Sequence, residues 1–269
     1  MLKERVFTAL VLVAVVLGVM LGLPPIATVC LLTVLVLVGA WEWASFAGFA
    51  SPASRAMFTI VVALALVACL YLYTASPGFV WITLTIAMVW WFVAFLWICL
   101  APARVTKVTA ALAGLLSLVP CWLALVYVTF ATQSTHWVLF TLALVWAADT
   151  GAFFAGRWLG RVPLAPRVSP KKTWEGVFGG MLMSGLVAWF AATFVFSVEV
   201  WQFVAICIAV AAVSIVGDLT ESMLKRSVGL KDSGSVFPGH GGMLDRIDSF
   251  LFAAPVLAGY ALLVVGAGT

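Results

Sequence analysis

Long apolar runs separated by short polar segments make up most of this 269-residue sequence. A helix that crosses a bilayer needs about 20 mostly apolar residues, and nine runs approach or exceed that length. The runs cover residues 6–23, 26–49, 56–74, 79–100, 108–131, 136–155, 176–198, 201–216 and 250–266. The eighth is short, so we expect its helix to continue through Asp218 towards Lys225. The pattern predicts an all-α, polytopic integral membrane protein with about nine transmembrane helices, folded as one domain over residues 1–269.

The basic residues favour this count of nine, because all 14 Lys and Arg side chains then fall on one side of the membrane. They precede the first run, or they lie between runs two and three, four and five, six and seven, or eight and nine. Loops that carry Lys and Arg stay in the cytoplasm. We therefore expect the N-terminus and both strongly charged loops in the cytoplasm, and the C-terminus in the periplasm.

The composition excludes an ordinary soluble domain, since 65% of the residues are hydrophobic and only 9% are charged. The five cysteines lie inside apolar runs without a CxxC pair, which indicates packing residues instead of a disulfide framework or a metal site. Most of the charge is concentrated in two segments, residues 149–176 and 217–248. Such concentration in an apolar protein indicates that a charged substrate is handled there.

Acidic residues stand at both ends of the segment 217–248. If the eighth helix continues into the segment, four polar residues share one of its faces: Asp218, Glu221, Ser222 and Lys225. Asp245 and Asp248 are three residues apart at the start of the ninth run, so they share a face as well. Carboxylate oxygens are the ligands that Mg²⁺ prefers. We predict a metal site formed by Asp218, Asp245 and Asp248, with Mg²⁺ as cofactor and a second cation left open.

Groups suited to phosphate lie between these acids. Lys225, Arg226 and Lys231 can bind phosphate oxygens. The glycine-rich stretch 238–242 exposes backbone N–H groups that can form an anion nest, and we expect His240 of this stretch in the site. Carboxylates, basic side chains and a glycine-rich loop together are typical of phosphoryl or nucleotidyl transfer. The alternative is a solvated loop whose charges only set the topology.

The segment 149–176 predicts a second anion site. Asp149 lies at the edge of the sixth run. Ser169 is predicted to be the N-cap of the seventh helix, with Pro170 in its first turn, so that free backbone N–H groups would face an anion. Lys171 and Lys172 add two cations there. The alternative for the basic residues of this segment is a topology signal or contact with anionic lipids.

Two features inside the runs are open to more than one interpretation. Glu42 lies within the second run, where a carboxylate is costly. It could line the site, pair with a basic residue of another helix, or be a neutral, hydrogen-bonded structural acid. Gly176, Gly180 and Ser184 form a stripe of small residues that allows close helix contact, either within one subunit or between two.

The segment from Ser222 to Asp248 resembles the signature of the phosphatidate cytidylyltransferases, also called CDP-diacylglycerol synthases. It reads S-x-x-K-R-x-x-x-x-K-D-x-G-x-x-F-P-G-H-G-G-M-L-D-R-I-D, without a departure from that signature. The stretches DTGAF at 149–153 and SPKKTWEG at 169–176 are similar to this family too, as is the multi-span architecture.

The resemblance implies that CTP and phosphatidate react to CDP-diacylglycerol and pyrophosphate in the presence of Mg²⁺. It also implies an inner-membrane enzyme of bacterial phospholipid biosynthesis, in contact with membrane lipids and not with nucleic acid, with a homodimer as the expected assembly. The catalytic residues are then expected to be Lys225, Arg226, Lys231, Asp232, His240 and Arg246. The substrate-binding residues are expected to be Asp149, Ser169, Lys171, Lys172, Thr173, Ser222, Gly241 and Gly242.

Three other functions fit parts of the pattern. A CTP-dependent lipid kinase of the polyprenol or phytol type also joins CTP to a lipid, but it transfers the γ-phosphate and releases CDP. A transporter accommodates nine spans with acids inside the membrane, but does not explain why the charge is concentrated in two loops. A lipid-binding or scaffold protein does not require the paired carboxylates.

Overall fold

The computed structural model describes residues 2–102, 104–131, 135–234 and 241–267. Within these residues the chain forms nine α-helices and one antiparallel β-hairpin. The helices are α1 (Leu2–Gly22), α2 (Pro25–Phe46), α3 (Pro52–Ala75), α4 (Phe79–Leu100), α5 (Lys107–Ala131), α6 (His136–Leu159), α7 (Trp174–Phe194), α8 (Val200–Ser227) and α9 (Leu244–Ala267). The hairpin strands are β1 (Pro163–Ala165) and β2 (Ser169–Thr173). The prediction of an all-α, polytopic membrane protein is confirmed.

Eight of the described helices, α2 to α9, are long and apolar enough to cross a membrane. Helices suit this environment because every backbone polar group must be satisfied without water. Large apolar side chains such as Leu64, Phe92 and Phe178 are exposed on the outer helix faces, as expected for contact with lipid. The apolar part of α1, Val13–Gly22, is shorter, so a crossing by α1 stays a prediction.

Helix α8 is the longest described helix, with 28 residues, and it ends at Ser227. The expected continuation of this helix through Asp218 and Lys225 is therefore confirmed. Glu199 caps its other end, since the carboxylate accepts hydrogen bonds from the Trp201 and Gln202 N–H groups. The charged C-terminal turns of α8 thus extend an apolar span and carry candidate site residues as part of a rigid helix.

The start of α7 was predicted wrongly. Ser169 and Pro170 do not open a helix; they belong to β2, which pairs with β1. The N-cap is Thr173, whose hydroxyl accepts a hydrogen bond from Gly176 N–H at 3.2 Å. Serine and threonine both serve as N-caps, and the fixed φ of proline suits an edge strand as well as a first helical turn. Strand pairing decided between the two positions.

Helix α5 lies at the centre of one half of the molecule, packed against α2, α3, α4 and α9. Helices α6, α7 and α8 form the other half, and α9 packs against α5, α6 and α8 and so joins the two. Because α9 begins at Leu244, inside the segment 217–248, the second charged segment lies where the two halves meet.

Helices α6 and α7 make the most extensive contact of any pair of described elements. A Cβ on Gly151 would lie 2.6 Å from Cγ of Met183, and one on Gly180 would lie 2.8 Å from the Ala148 carbonyl oxygen. Ser184 donates to the Leu144 carbonyl of α6. The stripe of small residues on α7 is therefore used for packing within one subunit, which decides between the two interpretations of the stripe.

Candidate active site

A cavity of about 570 Å³ lies between α6, α7 and α8, beside the β-hairpin. Small and apolar residues such as Ala148, Gly180 and Ile215 form part of its wall. The charged and hydroxyl residues of the wall are Asp149, Arg157, Lys171, Lys172, Thr173, Ser214, Asp218 and Ser249. The volume is in the range of small-molecule sites. The cavity brings residues of both charged segments together.

An ion pair joins the two segments directly. Lys172 of β2 contacts the Asp218 carboxylate of α8, and each side chain is about a quarter exposed, at 25% and 26%. Ser222, one helical turn after Asp218, donates to its Oδ1 at 3.3 Å. The pair therefore lies in the wall of an open cavity, where a bound anion can reach the ammonium group.

The hairpin that carries Lys171 and Lys172 is tied to the start of α7. The carboxylate of Glu175 accepts the Val162 N–H through both oxygens, at 3.3 Å each. Thr173 caps the helix, as described above, and lines the cavity. The two lysines are thus held on a short strand with a helix N-terminus beside them, and this arrangement favours anion binding.

A second cluster lies at the end of α8. Lys225 contacts Asp245 Oδ1 at 2.6 Å and Glu221 Oε1 at 3.2 Å. The side chains of Lys225, Asp245 and Glu221 are 12%, 14% and 2% exposed. The sequence places Glu221 and Lys225 on one helix face, and the structure adds Asp245 as the shared partner on α9.

Asp245 organises the loop that precedes α9. Besides Lys225, it accepts hydrogen bonds at its Oδ2 from Ser233 N, Ser233 Oγ and Gly242 N, at 2.9, 3.0 and 2.9 Å. Gly241 adopts φ of 82°, a conformation that favours glycine. The glycine-rich stretch was predicted to form an anion nest with its backbone N–H groups. The N–H group of Gly242 instead donates to the carboxylate of Asp245, an anion of the protein itself.

Three carboxylates lie within electrostatic range of one another around the cavity: Asp149, Asp218 and Asp248, with Lys172 as a neighbouring cation. Among the described residues, no group of three or more Asp, Glu, His or Cys side chains is arranged as a metal site. Mg²⁺, however, commonly binds one or two carboxylates together with substrate phosphates. Asp218 and Asp248 fit that chemistry. A carboxylate has about four lone-pair positions, and Asp245 already accepts four contacts, so it fits less well.

Glu42 is buried, with 2% of its surface exposed. Its carboxylate accepts hydrogen bonds from Ser233 Oγ, Met243 N and Leu244 N, each at 2.9 Å. Of the interpretations left open by the sequence, the structure favours the hydrogen-bonded structural acid, although the carboxylate is the acceptor in all three contacts, as expected for a charged and not a neutral acid. Its partners lie in the loop that Asp245 organises.

The remaining predicted residues lie on the surface, in the hairpin or outside the described residues. Arg226, Lys231, Asp232 and Arg246 are exposed; Arg246 is within electrostatic range of Asp149. Ser169 pairs with Ala165 in the hairpin and does not line the cavity. His240 and the rest of the glycine-rich stretch up to residue 240 lie outside the described residues.

Sequence reasoning missed several residues that the structure brings to the site. Ser233 contacts both Glu42 and Asp245, yet a serine in a polar loop carries no distinctive signal. Ser214, inside an apolar run, and Ser249, next to Asp248, also line the cavity, and a single serine is a weak signal in either position. Arg157, in the last turn of α6, also lines the cavity, but in the sequence it is one of several basic residues between runs six and seven.

Taken together, the cavity offers cations and a helix N-terminus for phosphate, carboxylates suited to a divalent cation, and apolar walls at the ends of membrane helices.

A family model described as the cytidylyltransferase family matches residues 3–264. Two relatives named phosphatidate cytidylyltransferase match nearly the full length. The one from Pseudomonas aeruginosa is 39% identical and covers 96% of each chain. The one from Haemophilus influenzae is 35% identical, covering 98% of this chain and all of the relative. A third, from Staphylococcus saprophyticus, is 44% identical over 47% of this chain and 49% of its own.

Proposed function

The chain belongs to the cytidylyltransferase family, and from this membership we infer that it is a nucleotidyltransferase that moves the cytidylyl group of CTP to phosphatidate. The products are CDP-diacylglycerol and pyrophosphate, and the reaction belongs to phospholipid biosynthesis. The observation that supports this most is the cavity in which Lys172 and Asp218 meet, because it combines phosphate-binding and carboxylate groups at the ends of membrane helices.

The reaction needs two phosphate groups to be held close together. A phosphate oxygen of phosphatidate attacks the α-phosphorus of CTP, the bond from that phosphorus to the β-phosphate oxygen breaks, and pyrophosphate leaves. We propose that Lys171, Lys172 and Arg157 bind the phosphates, since all three line the cavity. The attacking phosphate is already an anion, so no strong general base is required.

Asp218 and Asp248 are the residues that would hold Mg²⁺, with Asp149 near them. Bound there, the cation would offset charge on the transferring and leaving groups. Lys172 can then release Asp218 and contact phosphate instead, because its ammonium lies in the open cavity wall. Asp245 as a ligand stays a prediction, and that role requires one of its present donors to leave.

The exposed basic residues Arg226, Lys231 and Arg246 lie near the C-terminal end of α8 and the start of α9. We propose that they face the cytoplasm of a bacterial cell, at the inner membrane, and help to attract CTP by electrostatic steering. The homodimer, the roles of Asp232 and Ser169, and a second cation stay predictions.

Label transfer tests the proposal. Purified protein is incubated with dispersed phosphatidate and CTP that carries label in either the α- or the γ-phosphate. We expect α-label in the lipid, γ-label in pyrophosphate, and neither transfer after Mg²⁺ is chelated. A lipid with γ-label, and release of CDP, would establish the CTP-dependent kinase instead. If folded protein moves neither label, a transporter becomes the better hypothesis.

A further inference from the structure

Glu42 lies on α2, outside both charged segments, yet it contacts the loop between α8 and α9 at three points. Ser233 Oγ, Met243 N and Leu244 N each donate to its carboxylate at 2.9 Å. These partners are 191 to 202 positions away along the chain. The contact therefore joins the N-terminal half of the molecule to the candidate active site.

The position of this carboxylate at the N-terminus of α9 has a physical reason. The first N–H groups of a helix have no partner within it, and the helix dipole attracts negative charge there. Glu42 accepts two successive N–H groups, Met243 and Leu244, and Asp245 accepts the preceding one, Gly242. Two carboxylates from different helices thus bind three consecutive amides at the point where α9 begins.

The loop backbone is fitted closely around Glu42. A Cβ on Gly234 would lie 2.8 Å from Cδ of Glu42, and one on Gly242 would lie 2.5 Å from its Oε2. Real Cβ atoms do not approach other atoms so closely. Only glycine permits the backbone at both positions to approach the carboxylate. Gly234 and Gly242 are therefore needed for packing around Glu42, independently of any contact with the substrate.

The effect of Glu42 reaches the charged cluster through Ser233. The Ser233 hydroxyl lies 2.9 Å from Glu42 Oε2 and 3.0 Å from Asp245 Oδ2, and Asp245 in turn binds Lys225. We propose that Glu42 is a positioning residue for nucleotidyl transfer: from α2 it fixes the start of α9, and with it Asp245 and Lys225, without touching the substrate.

The matching variant is Glu42→Gln, which keeps the size of the side chain. The side-chain oxygen of glutamine can still accept a hydrogen bond from one of the two amides, Met243 N or Leu244 N. The NH₂ group of the glutamine then faces the other amide, which is a donor too and is left without an acceptor. The free energy of a hydrogen bond to a charged group corresponds to a factor of about 10 to 100. If the active arrangement of the loop depends on that bond, we expect kcat to fall by about this factor. We expect KM for CTP and for phosphatidate to stay within about threefold, because no substrate contact is removed. The kcat of Glu42→Asp, which keeps the charge but shortens the side chain, should lie between that of the wild type and that of Glu42→Gln.

Hydrogen–deuterium exchange supplies a readout that does not depend on activity. The amides at 242–244 should exchange faster in Glu42→Gln than in the wild type, while amides in α6 and α7 keep their rates. Ser233→Ala removes the bridging hydroxyl alone and should reproduce the kcat loss in part. It serves in place of Glu42→Gln should that variant fail to fold.

Thr33→Val is the matched control. Thr33 also lies on α2 and also makes a contact distant in sequence, accepting a hydrogen bond from Trp122 Nε1 at 2.9 Å, but it is remote from the loop in the hydrogen-bond network. We expect the kcat of Thr33→Val, calculated per amount of folded protein, to lie within about twofold of the wild-type value.

Each other outcome contradicts the proposal. Equal losses in Glu42→Gln and Thr33→Val would mean a general effect on folding. A raised KM with unchanged kcat would mean that Glu42 binds substrate. Unchanged exchange at 242–244 would mean that it does not hold the loop. The kinetic part rests on the proposed function: if the wild type transfers no cytidylyl group while exchange still changes, the proposed function fails and the positioning of the loop stands.

Discussion

Replacing Lys225 by methionine tests how the charged cluster at the end of α8 is balanced. Methionine keeps much of the apolar stem and removes the ammonium group. That group lies between Asp245 at 2.6 Å and Glu221 at 3.2 Å. Glu221 is buried, and apart from this contact with Lys225 its oxygens have no hydrogen-bond partner in the described part of the chain. Asp245 keeps the Ser233 and Gly242 donors. The variant therefore leaves one buried acid, Glu221, without compensation.

The expected magnitude follows from this imbalance. Removal of one partner of a buried ion pair costs about 3–5 kcal/mol of unfolding free energy, because the other charge stays buried alone. Adding Glu221→Gln to Lys225→Met removes that charge. Contacting residues commonly couple by about 0.5–3 kcal/mol, so the double variant should be more stable than Lys225→Met by an amount in that range. Activity should be lost in both, since neither has the cation expected to act on phosphate.

The free energies are measured by detergent-induced unfolding in mixed micelles, followed by tryptophan fluorescence, for the wild type, both single variants and the double variant. Arg226→Gln is the control for stability, because Arg226 is the exposed neighbour in the same helical turn; its change should stay within about 0.5 kcal/mol. The reasoning is refuted if Lys225→Met is as stable as the wild type. It is refuted as well if Glu221→Gln lowers the stability of Lys225→Met further.

Three more predictions concern the metal, the topology and the helix contact. Asp218→Asn and Asp248→Asn should each lower kcat by at least about 100-fold with thermal unfolding close to that of the wild type, and near-normal turnover would remove both from the metal site. A reporter fused after Thr269 should be active in the periplasm, and one fused to chains that end at Ser233 should be active in the cytoplasm; a cytoplasmic C-terminus would mean that the span count is wrong by one. Gly151→Ala should lower the unfolding free energy by about 1–3 kcal/mol through overpacking of α6 against α7, and an unchanged denaturation midpoint would contradict that close contact.

The membrane fold was largely predictable from the sequence because the bilayer imposes a strict local condition. Apolar runs of sufficient length must satisfy their own backbone hydrogen bonds, so run length and hydropathy alone locate α2 to α9. The extension of α8 was predictable for a similar reason, since its polar residues repeat at helical spacing up to Lys225. The start of α7 was not predictable, because Ser169 and Thr173 are comparable N-caps and the choice depended on pairing with β1.

The candidate site divides in the same way. Sequence spacing identified which carboxylates and lysines belong to polar segments, because acids at the ends of membrane helices are costly without a role. It could not show that Lys172 contacts Asp218 across 46 positions, or that Glu42 binds the start of α9 across about 200. Periodicity describes neighbours on one helix, whereas these contacts depend on how separate helices pack, and only the tertiary structure determines that packing.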